Sequence, residues 1–147
     1  NAADDVPNFH VAEPGLTYLC LGLVDFGSDE DRARVFPAAV DFVQQALTGD
    51  AAARVLIHCA NGSNRSVTVS IAVLMQLLDA RLAHAWALVH ARREQAAPLA
   101  DNRYQLLEHE MRMRGSCSMQ EGANGTLEPL PPGDSLHGAS SGSPPDD

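Results

Sequence analysis

The feature that most constrains the fold is a strand-like run followed by a polar loop and a long apolar segment. The run Val55-Leu56-Ile57 is aliphatic and β-branched, as is typical of a parallel strand covered on both faces. The segment from Val67 to Leu78 is apolar almost all round, which predicts a buried helix. A junction of this kind aims backbone N–H groups and a helix N-terminus at one point, and such points bind anions. The pattern therefore predicts an α/β domain with a central sheet flanked by helices.

The loop between the predicted strand and helix begins with Cys59 and ends with Arg65. Backbone donors, a helix N-terminus and a nearby cation lower the pKa of a thiol, and the resulting thiolate can attack phosphorus. The planar guanidinium of Arg65 matches two phosphate oxygens, which a lysine ammonium cannot do. Gly62 permits a backbone that other residues resist, and the Ser66 hydroxyl is placed to donate to the cysteine sulfur. These residues predict a phosphate site with a cysteine nucleophile.

The rest of the loop is predicted to bind the phosphate mainly through its backbone. The phosphate-binding residues predicted are His58, Ala60, Asn61, Gly62, Ser63 and Asn64. We expect His58 to orient the loop through its ring nitrogens rather than to act as a base. The alternative makes Cys59 a buried inert thiol and Arg65 a surface charge. Histidine before the cysteine, glycine three positions after it and serine after the arginine together argue against that alternative.

The pattern His58-Cys59-x5-Arg65-Ser66 resembles the active-site loop of the cysteine-dependent protein phosphatases, and its final serine is similar to the dual-specificity subgroup. The resemblance covers residues 1–114, with further matches at Tyr18–Asp25, Phe36-Pro37 and Gln105-Leu106. It implies a protein-tyrosine-phosphatase-like fold and a cysteinyl-phosphate mechanism. It also implies phosphotyrosine in proteins as substrate, with phosphoserine and phosphothreonine as further candidates, and no metal or other cofactor.

A second apolar run, residues 16–24, is predicted to be another interior strand, and it ends at Asp25. Ligands of open α/β sheets gather at the carboxyl ends of parallel strands, so we expect Asp25 and Cys59 to share one site. Asp25 matches the general acid of the family that the loop resembles, which protonates the leaving oxygen. A turn-capping role is the alternative for Asp25. Asp29 and Asp31 are the reserve candidates for the acid.

Three further helices follow from apolar spacing and helix-start signals. They are predicted at Val35–Leu47, from Asp79 onward, and from about Asp101, which is the expected N-cap. Residues 1–15 are polar and contain two prolines, which predicts a loop. In the resembling family a strand ends in Asn at about this point, so we expect edge strands and a helix to be absent here. An ordinary irregular N-terminus is the alternative.

The segment after the third predicted helix departs from the resembling family, which has Arg-x4-Pro-Asn there to buttress the phosphate loop. Arg93 and Pro98 fit the spacing, but position 99 is Leu and the usual downstream aromatic position holds Asn102. The sequence therefore leaves the rigidity of the loop open. It also leaves an alternative function open: a pseudophosphatase that binds phosphoproteins with little turnover.

Charge argues against several partners. The net charge of −9 divides into −4 over residues 1–114 and −5 over residues 115–147. This balance disfavours nucleic acid, an RNA 5′-triphosphate or an anionic membrane as the partner, and the resemblance implies a phosphorylated protein instead. A lipid phosphatase is disfavoured because Ala60, Asn61, Ser63 and Asn64 are neutral. The oligomeric state does not follow from the sequence.

Composition changes at residue 115. Residues 115–147 hold six Gly, five Pro and six Ser, which predicts a disordered acidic tail after a catalytic domain at residues 1–114. The cysteines at 20, 59 and 117 include no CxxC pair, so neither a disulfide framework nor a zinc site is predicted, and we expect Cys20 in the core. A thiolate enzyme needs a reducing compartment, which indicates the cytoplasm, with the nucleus as the second candidate.

Overall fold

The structure is a computed structural model and describes residues 1–26, 32–131 and 136–137. Within these residues, a 3-10 turn at Arg32–Val35 leads into the first of four α-helices. The helices are α1 (Phe36–Gly49), α2 (Arg65–Leu77), α3 (Leu82–His90) and α4 (Ala100–Arg114). None of the helices in the described part of the chain is both long enough and apolar enough to span a membrane.

Helix α2 forms the centre of the core, which confirms the buried helix predicted after the loop. Its side chains Val69, Ile71 and Met75 are at most 1 % exposed, and the other three helices pack against it. Each of those helices contributes a fully buried apolar side chain: Phe36, Leu82 and Leu106. Burying a side chain of this size stabilises a fold by about 1.5–3 kcal/mol. The core therefore holds the N-terminus of α2, and with it the end of the loop, in a fixed place.

Residues 1–4 form a small layer with residues 21–23 and with the end of the segment 55–58, joined by a few backbone hydrogen bonds and one parallel bridge rather than by continuous strands. Ala2 N donates to His58 O at 2.7 Å on one side. On the other side Leu23 N donates to Ala2 O at 2.9 Å, and Ala3 pairs with Leu23 in parallel. Residues 1–4 therefore lie between the segments that lead to Asp25 and to Cys59. The prediction of a loop for residues 1–15 is wrong at residues 1–4, where the small side chains of Ala2 and Ala3 are buried between neighbours.

The segment 16–24, predicted to be a strand, forms only an isolated bridge at Leu23, has a φ of 65° at Gly22, and faces the core at alternate residues. Leu19, Leu21 and Leu23 are wholly or partly buried, whereas the residues between them are exposed. Side chains of an extended chain alternate between its two faces, and a continuous apolar run hides that alternation. Cys20 lies on the outer face, where its sulfur accepts a hydrogen bond from Asn8 Nδ2 at 2.8 Å. The prediction that Cys20 packs in the core is therefore wrong.

Two helices begin later or differently than predicted. Helix α3 begins at Leu82 rather than Asp79, because Asp79 adopts a left-handed backbone with φ of 50° that ends the preceding helix. Helix α4 begins at Ala100 with Leu99 as its N-cap and no capping side chain. Asp101 lies one residue inside α4, where its negative charge favours the helix dipole.

Part of the predicted disordered tail is ordered. Strand β1 (Ser116–Cys117) pairs with β4 (Leu136–His137), and β2 (Met119–Glu121) pairs with β3 (Leu127–Pro129). The fully buried carboxylate of Glu110 accepts from Ser118 N at 2.7 Å and Leu82 N at 3.0 Å, and it lies 2.7 Å from Arg81 Nε. These contacts attach the strands to α3 and α4. Residues 132–135 and 138–147 of the predicted tail lie outside the described residues.

Candidate active site

The loop that joins the parallel layer to α2 curls around the sulfur of Cys59. Gly62 N donates to Cys59 Sγ at 3.3 Å, and Ser66 Oγ lies 3.2 Å from the same sulfur. Gly62 has a φ of 67°, which lies in the left-handed region that favours glycine. The structure therefore brings the predicted cysteine, glycine and serine together around one buried sulfur atom.

The surroundings of Cys59 favour its thiolate. Burial by itself raises the pKa of a thiol. Here it is outweighed by hydrogen bonds from the hydroxyl and backbone of Ser66, by the N–H of Gly62 and by the charge of Arg65. The pKa of Cys59 is consequently below its ordinary value. Cys117 behaves in the opposite way, because burial and the neighbouring carboxylate of Glu110 raise its pKa.

The guanidinium of Arg65 is 1 % exposed and uses one nitrogen to bind the protein. Its Nη1 donates to Asp5 Oδ1 at 2.6 Å, to Asp4 Oδ1 at 3.2 Å and to Leu23 O at 3.1 Å. Burial lowers the pKa of Arg65, but the hydrogen bond to Asp5 and the negative charges of Asp25, Asp5 and Cys59 outweigh it, so the pKa is raised.

The other edge of the guanidinium, formed by Nε and Nη2, makes no hydrogen bond to a described residue. Nε lies 3.2 Å from Asp25 Oδ1, but it is too poorly aligned for a hydrogen bond, so the contact is an ion pair only. A buried donor without a hydrogen bond is costly, and a bound anion would satisfy it. Two adjacent N–H groups of an arginine match two oxygens of a phosphate.

Asp4 and Asp5 are the site residues that sequence reasoning missed. They follow residues 1–3, which were predicted to be loop rather than part of the layer. The rule that placed Asp25 at the end of a parallel strand also places Asp4 and Asp5 there, once residues 1–4 are recognised as extended. The hydrogen bond from Arg65 holds the pKa of the Asp5 carboxyl below its usual value, although partial desolvation opposes this.

Asp25 lies beside Arg65, as the strand-end argument predicts, with 27 % of its side chain exposed. Its Oδ1 accepts from Asn64 Nδ2 at 2.9 Å, so Asp25 is tied to the phosphate loop as well. Thirty-four positions of sequence therefore separate Asp25 and Cys59, yet both contact the residues at the N-terminus of α2. The reserve candidates, Asp29 and Asp31, lie outside the described residues.

His58 contributes to the loop through its backbone. Its carbonyl oxygen accepts from Ala2 N, whereas its ring makes no hydrogen bond to a described residue. The prediction that the ring nitrogens orient the loop is therefore not supported by a contact. Ala60 is exposed, and Ser63 is partly buried.

The segment that contains Arg93 and Ala97 holds the loop between Cys59 and Arg65 through hydrogen bonds. The sequence pattern of this segment did not show whether the loop would be rigid. Arg93 donates through Nε to Gly62 O and through Nη2 to Asn61 O at 3.3 Å, and Ala97 N donates to Ser63 O at 2.8 Å. The C=O and N–H of a trans peptide point in opposite directions. Arg93 holds the carbonyl of Asn61, and the N–H of the same peptide, Gly62 N, donates in the opposite direction to the Cys59 sulfur.

No group of three or more His, Cys, Asp or Glu side chains in the described part of the chain is arranged to hold a metal ion. The site brings the Cys59 thiol, the buried guanidinium of Arg65 and the carboxyl group of Asp25 together around the N-terminus of α2. Chemically, this arrangement can bind a phosphoryl group, accept it on sulfur and protonate the oxygen that leaves.

Comparison with known proteins gives matches to one protein family. A family model described as dual specificity phosphatase, catalytic domain, matches residues 1–112. Human dual specificity protein phosphatase 9 is 33 % identical over 127 residues, which are 85 % of this chain and 32 % of that protein. Dual specificity protein phosphatase Mpk3 of Drosophila melanogaster is 35 % identical over 114 residues, 78 % of this chain and 27 % of that protein. The chain thus spans about a third or less of the length of these relatives.

Solved structures with a similar fold include two human proteins. The crystal structure of human DUSP28 has a TM-score of 0.63 and 27 % identity, and the match covers 69 % of this chain and 66 % of that one. The human tyrosine phosphatase-like serine/threonine/tyrosine-interacting protein has the same TM-score, 0.63, with 30 % identity. That match covers 74 % of this chain and 68 % of that one.

Proposed function

This chain belongs to the dual specificity phosphatase family, and on that premise we propose that it hydrolyses phosphotyrosine in proteins, with phosphoserine and phosphothreonine as further substrates. The reaction proceeds through a phosphate ester of Cys59. The observation that carries the proposal is the buried Cys59 sulfur with its two hydrogen-bond partners, beside a buried Arg65 whose Nε makes no hydrogen bond to a described residue.

In the first step the thiolate of Cys59 attacks phosphorus, so that an S–P bond forms while the P–O bond to the substrate breaks. The electron pair of the broken bond goes to the leaving oxygen, which takes a proton from Asp25. The Nε and Nη2 atoms of Arg65 hold two phosphoryl oxygens, and the inward N–H groups of the loop hold the third.

In the second step a water oxygen attacks phosphorus and the S–P bond breaks. The proton of the water goes to the Asp25 carboxylate, and the electron pair returns to Cys59 as thiolate. The Ser66 hydroxyl, 3.2 Å from the sulfur, donates to the thiolate as it leaves. The same contact that favours ionisation in the resting protein therefore favours release of phosphate.

A second function, a module that binds phosphoproteins with little turnover, has its own supporting observation. Arg65 Nη1 is already bonded to the carboxylates of Asp4 and Asp5, so part of its charge is neutralised before any substrate arrives. One of the proteins of similar fold is the human tyrosine phosphatase-like serine/threonine/tyrosine-interacting protein. The two functions differ in turnover, and both keep the pocket.

The charge around the site limits which phosphorylated partners can bind there. Asp4, Asp5 and Asp25 surround one arginine, and the loop contributes no further cation. A polyanion such as nucleic acid or an anionic membrane surface is repelled by such a site, whereas a single phosphoryl group fits it. A thiolate of lowered pKa is sensitive to oxidation, which favours the cytoplasm or the nucleus as its compartment.

The experiment that tests the proposal is hydrolysis of 4-nitrophenyl phosphate by the purified chain with a thiol reductant. We expect turnover by the natural sequence, reversible loss of activity without the reductant, and no turnover by Cys59→Ser. Phosphopeptide binding that persists in Cys59→Ser separates loss of the nucleophile from loss of the pocket. Binding without any turnover by the natural sequence would make the binding module the better interpretation.

A further inference from the structure

Asn64 is a buried loop residue whose side-chain amide connects the start of α4 to the Asp25 carboxylate. It is 6 % exposed. Its Oδ1 accepts from Leu99 N at 2.8 Å and from Asn102 Nδ2 at 2.5 Å. Its Nδ2 donates to Asp25 Oδ1 at 2.9 Å and to the carbonyl oxygen of Asp25 at 3.3 Å.

The orientation of the Asn64 amide is dictated by backbone groups at both ends. A backbone N–H can only donate, so Leu99 requires the amide oxygen on its side. A backbone carbonyl can only accept, so Asp25 requires the amide nitrogen on the other side. The flipped amide would set donors against donors and oxygens against oxygens. Nδ2 of Asn64 therefore always faces the carboxyl group of Asp25.

Asn102 holds the Asn64 amide through a hydrogen bond, and packing alone does not explain a polar side chain at this buried position. It lies in the first turn of α4, is 1 % exposed, and makes its one side-chain hydrogen bond within the described residues to Asn64. Its own Oδ1 is buried without a partner. An unsatisfied buried acceptor destabilises a fold, whereas an apolar side chain of similar size carries no such cost. The polar group at this position therefore acts through its contact with Asn64.

We propose that Asn64 and Asn102 are positioning residues that orient the Asp25 carboxyl for proton donation, an inference that rests on the proposed function. Oδ1 of Asp25 faces Asn64 Nδ2 and, at 3.2 Å, Arg65 Nε. A proton on that oxygen would point at N–H groups. The proton is therefore carried by Oδ2, the oxygen that can face the leaving group.

Loss of Asn102 removes one of the two groups that hold Asn64 and leaves the contacts of Cys59 and Arg65 in place. The thiol and the anion-binding edge then remain, while the carboxyl group of Asp25 becomes free to turn. A phenoxide needs the proton that Asp25 supplies, whereas a nitrophenolate leaves readily without it. The effect should therefore depend on the leaving group, which a general loosening of the fold would not produce.

The test compares turnover of phenyl phosphate with turnover of 4-nitrophenyl phosphate in Asn102→Leu. We expect phenyl phosphate turnover to fall about tenfold more than 4-nitrophenyl phosphate turnover, a fraction of the usual general-acid contribution. The matched control is Leu106→Ala, which loosens the same helix at a fully buried position and has no polar contact with the site. Its ratio of the two rates should equal that of the natural sequence. Asn102→Ala is measured in parallel, with thermal melts, so that a folding defect in one variant leaves the other.

The possible results distinguish failure of the positioning role from failure of the proposed phosphatase function. The quantity compared is the ratio of phenyl phosphate turnover to 4-nitrophenyl phosphate turnover. If Asp25→Asn lowers this ratio and neither Asn102 variant does, the positioning role is overturned and the proposed function stands. If Asp25→Asn leaves the ratio unchanged while Cys59→Ser is inactive, another group supplies the proton and the inference falls with that assignment. If the natural sequence turns over neither ester, the proposed function itself is overturned.

Discussion

Replacing Ser66 by alanine should raise the pKa of Cys59 and move the acid side of the activity profile to higher pH. Ser66 Oγ lies 3.2 Å from the sulfur in a buried setting, and its hydroxyl is the largest of the influences that lower this pKa. A hydrogen bond to a charged group contributes about 1.5–3 kcal/mol. Since 1.4 kcal/mol corresponds to a factor of ten, the thiolate fraction on the acid side should fall about 10- to 100-fold.

The sign follows from which form the hydroxyl stabilises. Cys59 of the natural sequence is ionised down to a pH below the ordinary thiol value, and its reactivity is lost as the pH falls through its lowered pKa. In Ser66→Ala that loss begins at higher pH. Alkylation of Cys59 by iodoacetamide, followed by mass mapping across pH, measures the shift directly. The pH profile of kcat/KM for 4-nitrophenyl phosphate should shift in the same direction.

Ser70→Ala is the matched control, because Ser70 undergoes the same chemical change one turn further along α2. Its hydroxyl donates to the carbonyl oxygen of Ser66 at 2.7 Å and does not contact the sulfur. We expect its alkylation profile to match that of the natural sequence. Identical midpoints for Ser66→Ala and the natural sequence would refute the role assigned to the Ser66 hydroxyl.

Three further predictions concern other parts of the molecule. Arg65→Lys should weaken phosphopeptide binding and turnover together, since a point charge replaces the two-donor edge; full activity in steady-state kinetics would contradict this. Glu110→Gln should lower the free energy of unfolding by about 1–3 kcal/mol in urea titrations, because it removes a buried carboxylate that accepts from Leu82 N and Ser118 N. Brief peroxide treatment should oxidise Cys59 before Cys117, whose pKa is raised; equal oxidation in mass mapping would show that Cys59 is not an activated thiolate.

The junction around Cys59 could be predicted from sequence because each of its parts is local. An aliphatic run, a cysteine and an arginine six positions apart, and a long apolar segment each require only neighbouring residues to be recognised. Helix α2 was found within two residues at its start and one at its end for the same reason. Helix α2 is apolar on nearly all of its faces, and a helix of this kind is stable only in the core.

The contacts made across the fold could not be predicted in this way. Asp4 and Asp5 reach Arg65 because residues 1–4 lie between the segments that contain Leu23 and His58. The sequence of residues 1–4 carries no pattern that predicts this pairing. An uninterrupted apolar run does not reveal which face is outward, so it wrongly predicts Cys20 in the core. Composition predicts disorder for residues 116–129, because the buried carboxylate that attaches them, Glu110, belongs to a separate helix.

The departure at position 99 illustrates how distant contacts replace a missing side chain. Leu99 lacks the amide expected there, but its backbone N–H reaches Asn64, and the amide of Asn102 reaches the same oxygen. The phosphate loop is therefore held at the place where the sequence pattern indicated a gap. Sequence spacing alone cannot show this, because the substitute lies three positions away on the first turn of α4.

The most direct measurement is detection of the phosphoenzyme. The purified chain is mixed with a phosphotyrosine peptide, quenched in acid within the first turnover, and digested for mass spectrometry. A phosphoryl group on the peptide that contains Cys59, absent from Cys59→Ser, is the result expected if the thiolate is the nucleophile. Peptide turnover in which no phosphoryl group is found on Cys59, and in which Cys59→Ser remains active, would contradict covalent catalysis by this residue.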